Sequence, residues 1–127
     1  VLAQAPDAPA DSGPIVDWNA LERFRADAGD DTLALLIDTY LSSTSEMLAR
    51  FAAIARGEGD LKEALRIAHS IKSSSRQAGA PTLANLAAAL EARAVEGGAP
   101  NPTDATEMAR LFEAYRAALA NKGMAAA

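Results

Sequence analysis

From Asp30 to Arg56 the chain runs for 27 residues without Gly or Pro, and its apolar residues return at steps of three and four. Leu33, Leu36, Ile37, Tyr40, Leu41, Met47, Leu48, Phe51, Ile54 and Ala55 form that stripe, which is the period of an amphipathic helix. At 1.5 Å per residue such a helix is roughly 39 Å long. Its apolar side cannot remain in water, so partner helices of comparable length must cover it.

The rest of the sequence supplies those partners. A short first helix is expected from the N-cap Asp17, with Val16 and Leu21 at the two positions of a hydrophobic staple and Gly29 closing it. A third helix opens at Asp60, where Asp60 and Glu63 have capping-box spacing, and runs to Ala78 before Gly79. Pro81 suits the first turn of a fourth helix, whose apolar residues are Leu83, Leu86, Ala87 and Leu90. Gly97 to Pro102 reads as a loop. A last helix is expected from about Thr103 to Asn121, with Met108, Leu111, Phe112, Tyr115 and Leu119 inward. About a quarter of the residues are alanine, and β-branched residues never alternate with polar ones over a strand's length. The expected fold is therefore all-α, an antiparallel up-and-down four-helix bundle with an additional short N-terminal helix. Residues 1–14, with Pro6, Pro9 and Pro14, read as a flexible linker, 15–123 as the bundle and 124–127 as a disordered tail. With no initiator Met, the chain reads as a piece of a longer protein.

Composition excludes several kinds of chemistry. The 127 residues include no Cys and one His, so disulfides, thiolate nucleophiles and multi-histidine metal centres are out of reach. Twelve Lys and Arg against 17 Asp and Glu leave a net charge of −5, the wrong sign for a nucleic-acid surface. No apolar run is long enough to span a bilayer. A hydrolase triad lacks a second base beside Ser73 to Ser75, and Gly57-Glu58-Gly59 is too short for a phosphate loop. A soluble, cytoplasmic domain is expected.

What remains is His69. On a helical wheel Leu61, Ala64, Ala68, Ile71, Ser75 and Ala78 gather on the core side of the third helix, and His69 falls about 130° from their centre. Lys62, Arg66, Lys72 and Arg76 surround it at helical spacing, four of the chain's twelve cations. A neutral imidazole, dominant at pH 7 for an unshifted pKa of about 6.5, offers the lone pair a nucleophile needs. The cations would attract and steady a phosphoryl group. A basic run on one helix is nevertheless more often a solvated face, so spacing alone leaves both readings open.

The segment Ala68-His69-Ser70-Ile71-Lys72-Ser73-Ser74-Ser75-Arg76-Gln77-Ala78-Gly79-Ala80 resembles the signature of the histidine-containing phosphotransfer family. It has a His, an apolar residue two on, Lys three on, small residues at four to six and Gly ten on. The resemblance extends over most of the folded part, including the lead-in Gly59-Asp60 and the Leu-rich fourth helix that contains Glu91. It implies a monomeric phosphocarrier, not a classical enzyme, that takes a phosphoryl group from the aspartyl phosphate of one receiver domain and passes it to another. His69 would be the phosphoacceptor, Lys72 the cation near the phosphoryl oxygens and Gly79 the left-handed residue that ends the helix. No metal or cofactor of its own is implied, Mg²⁺ being supplied by the receiver. Ser73 departs from the glycine common at that position and would narrow access or donate a hydrogen bond.

Lys62, Arg66, Ser73, Arg76 and Gln77 are the residues expected to meet phosphate or partner. They are joined by Ser43, in a docking face that continues onto the second helix near Ser42, Ser43 and Ser45. Glu63 and Glu91 have ordinary capping or surface roles available. Two alternatives share the motif: the phosphoacceptor domain of a chemotaxis-type histidine kinase, and a helical scaffold that binds receivers without carrying phosphate. A dimerising histidine-kinase domain fits less well, because Ser70 rather than an acidic residue follows His69 and no Pro occurs before Pro81.

Overall fold

A computed structural model describes residues 13–124, so most of the expected linker and the last three residues of the tail lie outside the described part. Five helices follow one another: α1 Trp18–Ala28, α2 Asp30–Ala55, α3 Leu61–Gln77, α4 Pro81–Val95 and α5 Pro102–Asn121. Among the described residues there is no strand. Contacts run from α2 to α3, α3 to α4, α4 to α5 and from α5 back to α2, the ring of an up-and-down four-helix bundle. α1 packs against α2.

Local chemistry sets most of the helix ends. The Asp17 carboxylate accepts from the Ala20 amide at 3.1 Å, and Val16 and Leu21 are both buried, as a staple requires. Pro81 occupies the first turn of α4. The capping box expected at Asp60 and Glu63 forms only in half. Asp60 accepts from the Glu63 amide at 2.9 Å, but the Glu63 carboxylate instead takes Arg50 of α2, at 2.5 and 2.8 Å. A complete box stands where none was expected, at Asn101 and Asp104, each accepting from the other's amide at 2.9 Å. With Asn101 as cap, α5 begins at Pro102, one residue before the expected start.

The core is one cluster drawn from all five helices and the segment before α1. α3 and α4 pack most extensively, and both carry small buried residues, Ala64 and Ala68 on α3 and Ala84, Ala87 and Ala94 on α4. Ile67 joins the buried face of α3, whereas Leu61 at its start is half-exposed. Polar groups inside the bundle are tied down. Tyr40 and Ser75 share a hydrogen bond of 2.6 Å between α2 and α3, and Tyr115 of α5 donates to the Ala78 carbonyl at 2.5 Å. The Tyr40 ring meets Phe112 and Tyr115 edge-on, with centroids 6.2 and 5.3 Å away. Burial raises the Tyr40 phenol to about 12, so it stays neutral.

The turn after α3 is fastened from outside the bundle. Gly79 has φ 70°, and its carbonyl accepts from the Asp17 amide at 2.8 Å. The Thr82 hydroxyl at the start of α4 lies 2.9 Å from the Gly13 carbonyl and 2.7 Å from that of Pro14. At the other terminus Met124 packs against the core, and its amide donates to Leu119 at 2.9 Å. Ordered contacts thus reach slightly past residues 15 and 123 on both sides.

Candidate functional site

His69 stands on the solvent side of α3 with 62% of its side chain exposed, as its place on the wheel predicts. Its backbone is held by what lies beneath: Ala68 and Ile71, the flanking core residues, are almost wholly buried against α2 and α4. The ring is not a free rotor. Its Nδ1 lies 2.7 Å from a carboxylate oxygen of Glu91, which projects from α4, the neighbouring helix. The other oxygen of the same carboxylate lies 2.6 Å from the Lys72 ammonium. One glutamate therefore bridges the two residues of the motif.

That bridge has a chemical consequence. The Lys72 ammonium, and after it the His69 ring, hold the Glu91 carboxyl below the usual carboxylate range, so it is ionised at neutral pH. An ionised carboxylate only accepts hydrogen bonds, so the proton of a neutral imidazole sits on Nδ1 and the lone pair on Nε2. The lone pair thereby lies on the ring nitrogen farther from the backbone.

Glu91 is the functional residue that sequence reasoning set aside as a surface acid. Its signal is spatial: 22 residues separate it from His69, and only the packing of α3 on α4 brings them together. Lys72, expected beside the phosphoryl oxygens, pairs with Glu91 and is 22% exposed.

The other expected residues separate into groups. Lys62, Arg66, Ser73 and Arg76 are exposed on α3, and Gln77 is exposed as its last residue. Ser74 donates to the Ser70 carbonyl at 2.9 Å and Ser75 is bound to Tyr40, while the Ser73 hydroxyl has no partner among the described residues. The three serines of α2 are all exposed. Ser43 lies two turns before Arg50, which pairs with Glu63, and so on the side of α2 toward α3. Ser42 and Ser45 line a groove of about 590 Å³ between α2 and α5, together with Leu41, Leu48 and Phe112. Ser42 and Ser43 together line an exposed depression on α2 with Asp38, Thr39 and Glu46. Among the described residues no group of three or more His, Asp or Glu side chains is placed to hold a metal ion, and no helix is long and apolar enough to cross a membrane.

A helical bundle that presents one oriented histidine midway along an exposed helix has the architecture of a phosphohistidine carrier. The sequence model of the Hpt domain matches residues 35–121, more than half of the chain, and the protein belongs to that family. It is a histidine phosphotransfer domain of the kind that works in phosphorelays with receiver domains. Among solved structures it is similar to histidine-containing phosphotransfer protein B from Pseudomonas aeruginosa PAO1, with a TM-score of 0.75 and 29% identity over 87% of this chain and 96% of the other. No curated protein sequence matches the chain.

Proposed function

We propose that His69 is the phosphoacceptor, receiving its phosphoryl group from the aspartyl phosphate of one receiver domain and delivering it to a second. The observation that carries this reading is the pairing of an exposed ring with a carboxylate on its Nδ1, which leaves Nε2 outward and unprotonated. The chain's sequence has no other histidine.

In the forward step the Nε2 lone pair attacks phosphorus. The N–P bond forms as the P–O bond to the aspartyl carboxyl breaks, and that carboxylate leaves with the bonding electrons. The ring then carries phosphate on Nε2 and a proton on Nδ1, and is cationic. Glu91, 2.7 Å from Nδ1, faces that charge and favours its formation. Delivery to the second receiver reverses these changes and restores the neutral imidazole. Lys72 is close enough along the helix to meet phosphoryl oxygens, and the uncommitted Ser73 hydroxyl, one turn beyond His69, is a donor for the same group. The divalent cation for the step belongs to the receiver. We assign the domain to the cytoplasm, where receivers are charged, and to a monomer, since one exposed α3 face suffices for docking.

The test is incubation with a panel of receiver domains charged by acetyl phosphate. The expected result is acid-labile, base-stable label on this chain, lost in His69→Gln while the helical circular-dichroism signal is unchanged. Label that persists in His69→Gln defeats the assignment.

A further inference from the structure

Most of the chain's cations are neutralised in place. Arg25, Arg50, Arg56, Lys72, Arg93, Arg110 and Arg116 each pair with a carboxylate. Five of the twelve have no carboxylate within salt-bridge distance among the described residues, and three of those five are Lys62, Arg66 and Arg76. Arg66 is near Glu63 along the helix, but that carboxylate is already held by Arg50. The three lie with His69 and Ser73 on one exposed ridge, at steps of four, three, four and three residues along α3. His69 is its midpoint, seven residues from Lys62 and seven from Arg76, or roughly 10 Å each way along the axis.

Seven residues is too far for Lys62 or Arg76 to hold a phosphoryl group on Nε2. It is the right distance to meet the surroundings of a pocket that closes over the ring. In a protein of net charge −5, an uncompensated cationic ridge also makes a local field of opposite sign to the whole. We infer that the ridge Lys62–Arg66–Arg76 steers the visiting receiver, and that this receiver carries acidic side chains on both sides of its phosphoacceptor pocket. The inference rests on the phosphocarrier reading and adds the charge signature of the partner. Cations at the rim of an encounter act on the rate of association more than on the lifetime of the complex.

The experiment uses the full chain and whichever receiver charges it fastest in the panel above, and measures the second-order transfer rate from about 20 to about 300 mM NaCl. The wild-type rate is expected to fall about tenfold or more across that range. The triple variant Lys62→Gln, Arg66→Gln, Arg76→Gln starts about tenfold slower at low salt and has a nearly flat salt dependence. Phosphoramidate, a small donor that needs no docking, labels His69 equally in both proteins. A salt-independent wild-type rate, or an unchanged slope in the triple variant, overturns the proposal. A parallel loss of labelling by phosphoramidate also overturns it, since the cations would then act on the phosphoryl group itself. If neither donor labels His69 in the wild type, the phosphocarrier assignment is what fails.

Discussion

The Glu91 carboxylate is shared between the His69 ring, at 2.7 Å, and the Lys72 ammonium, at 2.6 Å. Free imidazole has no such constraint, so the tautomer is a property the bundle imposes. Nitrogen NMR of the unphosphorylated protein with a neutral ring is expected to show the proton on Nδ1. In Glu91→Gln the amide oxygen turns to the Lys72 ammonium, which can only donate, so the amide NH2 faces Nδ1, the preference shifts to Nε2–H, and transfer to His69 slows about tenfold or more. In Glu91→Ala the tautomer preference itself is lost. A dominant Nε2–H form in the wild type contradicts this.

Glu91 also links the site to stability. Its carboxyl is lower in the folded protein than the ordinary value of 4.5, chiefly because of Lys72. A depressed folded value means that the stabilisation is complete above the unfolded value and is lost as pH falls through the folded one. Denaturant titrations should therefore give a constant stability difference between wild type and Glu91→Gln from about pH 7 to about pH 5, shrinking below that. A difference that grows on acidification would reverse the sign and refute the assignment.

Ser73 is read out by removing one atom at a time. Ser73→Ala keeps the bulk near His69 and deletes the hydroxyl, and is expected to shorten the phosphohistidine lifetime roughly two- to fivefold, about the effect of one exposed hydrogen bond. Ser73→Gly adds room for the partner, so transfer to receivers speeds up in this variant while the lifetime stays short. Equal lifetimes in all three proteins would remove Ser73 from the site.

Two scaffold residues separate folding from chemistry. Tyr40→Phe leaves the Ser75 hydroxyl buried without its partner and should cost about 1–3 kcal/mol in denaturant unfolding, with transfer unchanged at temperatures where the protein stays folded.

Gly79→Ala forces a side chain into φ 70°, and its Cβ would lie 3.2 Å from the Asp17 carbonyl and 3.3 Å from Leu21. A loss of roughly 1–2 kcal/mol is expected, measured in the same way. No loss would show that the turn can relax away from the segment before α1.

The fold was legible because its signals are local. Asp17, Gly29 and Pro81 set helix ends by chemistry within a few residues, and the α2 stripe needs only its own period. Where sequence reasoning failed, a distant group competed. Glu63 has capping-box spacing, yet Arg50 claims its carboxylate across the bundle. Asn101 was hidden inside a Gly- and Pro-rich stretch that reads as plain loop, although its side chain starts α5. His69 was visible from its wheel position and neighbours, whereas Glu91 was not, because spacing within α4 does not say which carboxylate lands beside a ring on α3.

The stretch from His69 to the following turn is pinned by three separate parts of the chain: Tyr40 on Ser75, Tyr115 on the Ala78 carbonyl and the Asp17 amide on Gly79. α3 is thus a fixed post rather than a swinging arm. Proteins that trade phosphate at such a post must bring the approach, the closing and the departure themselves, so the tempo of the exchange belongs to the visitors.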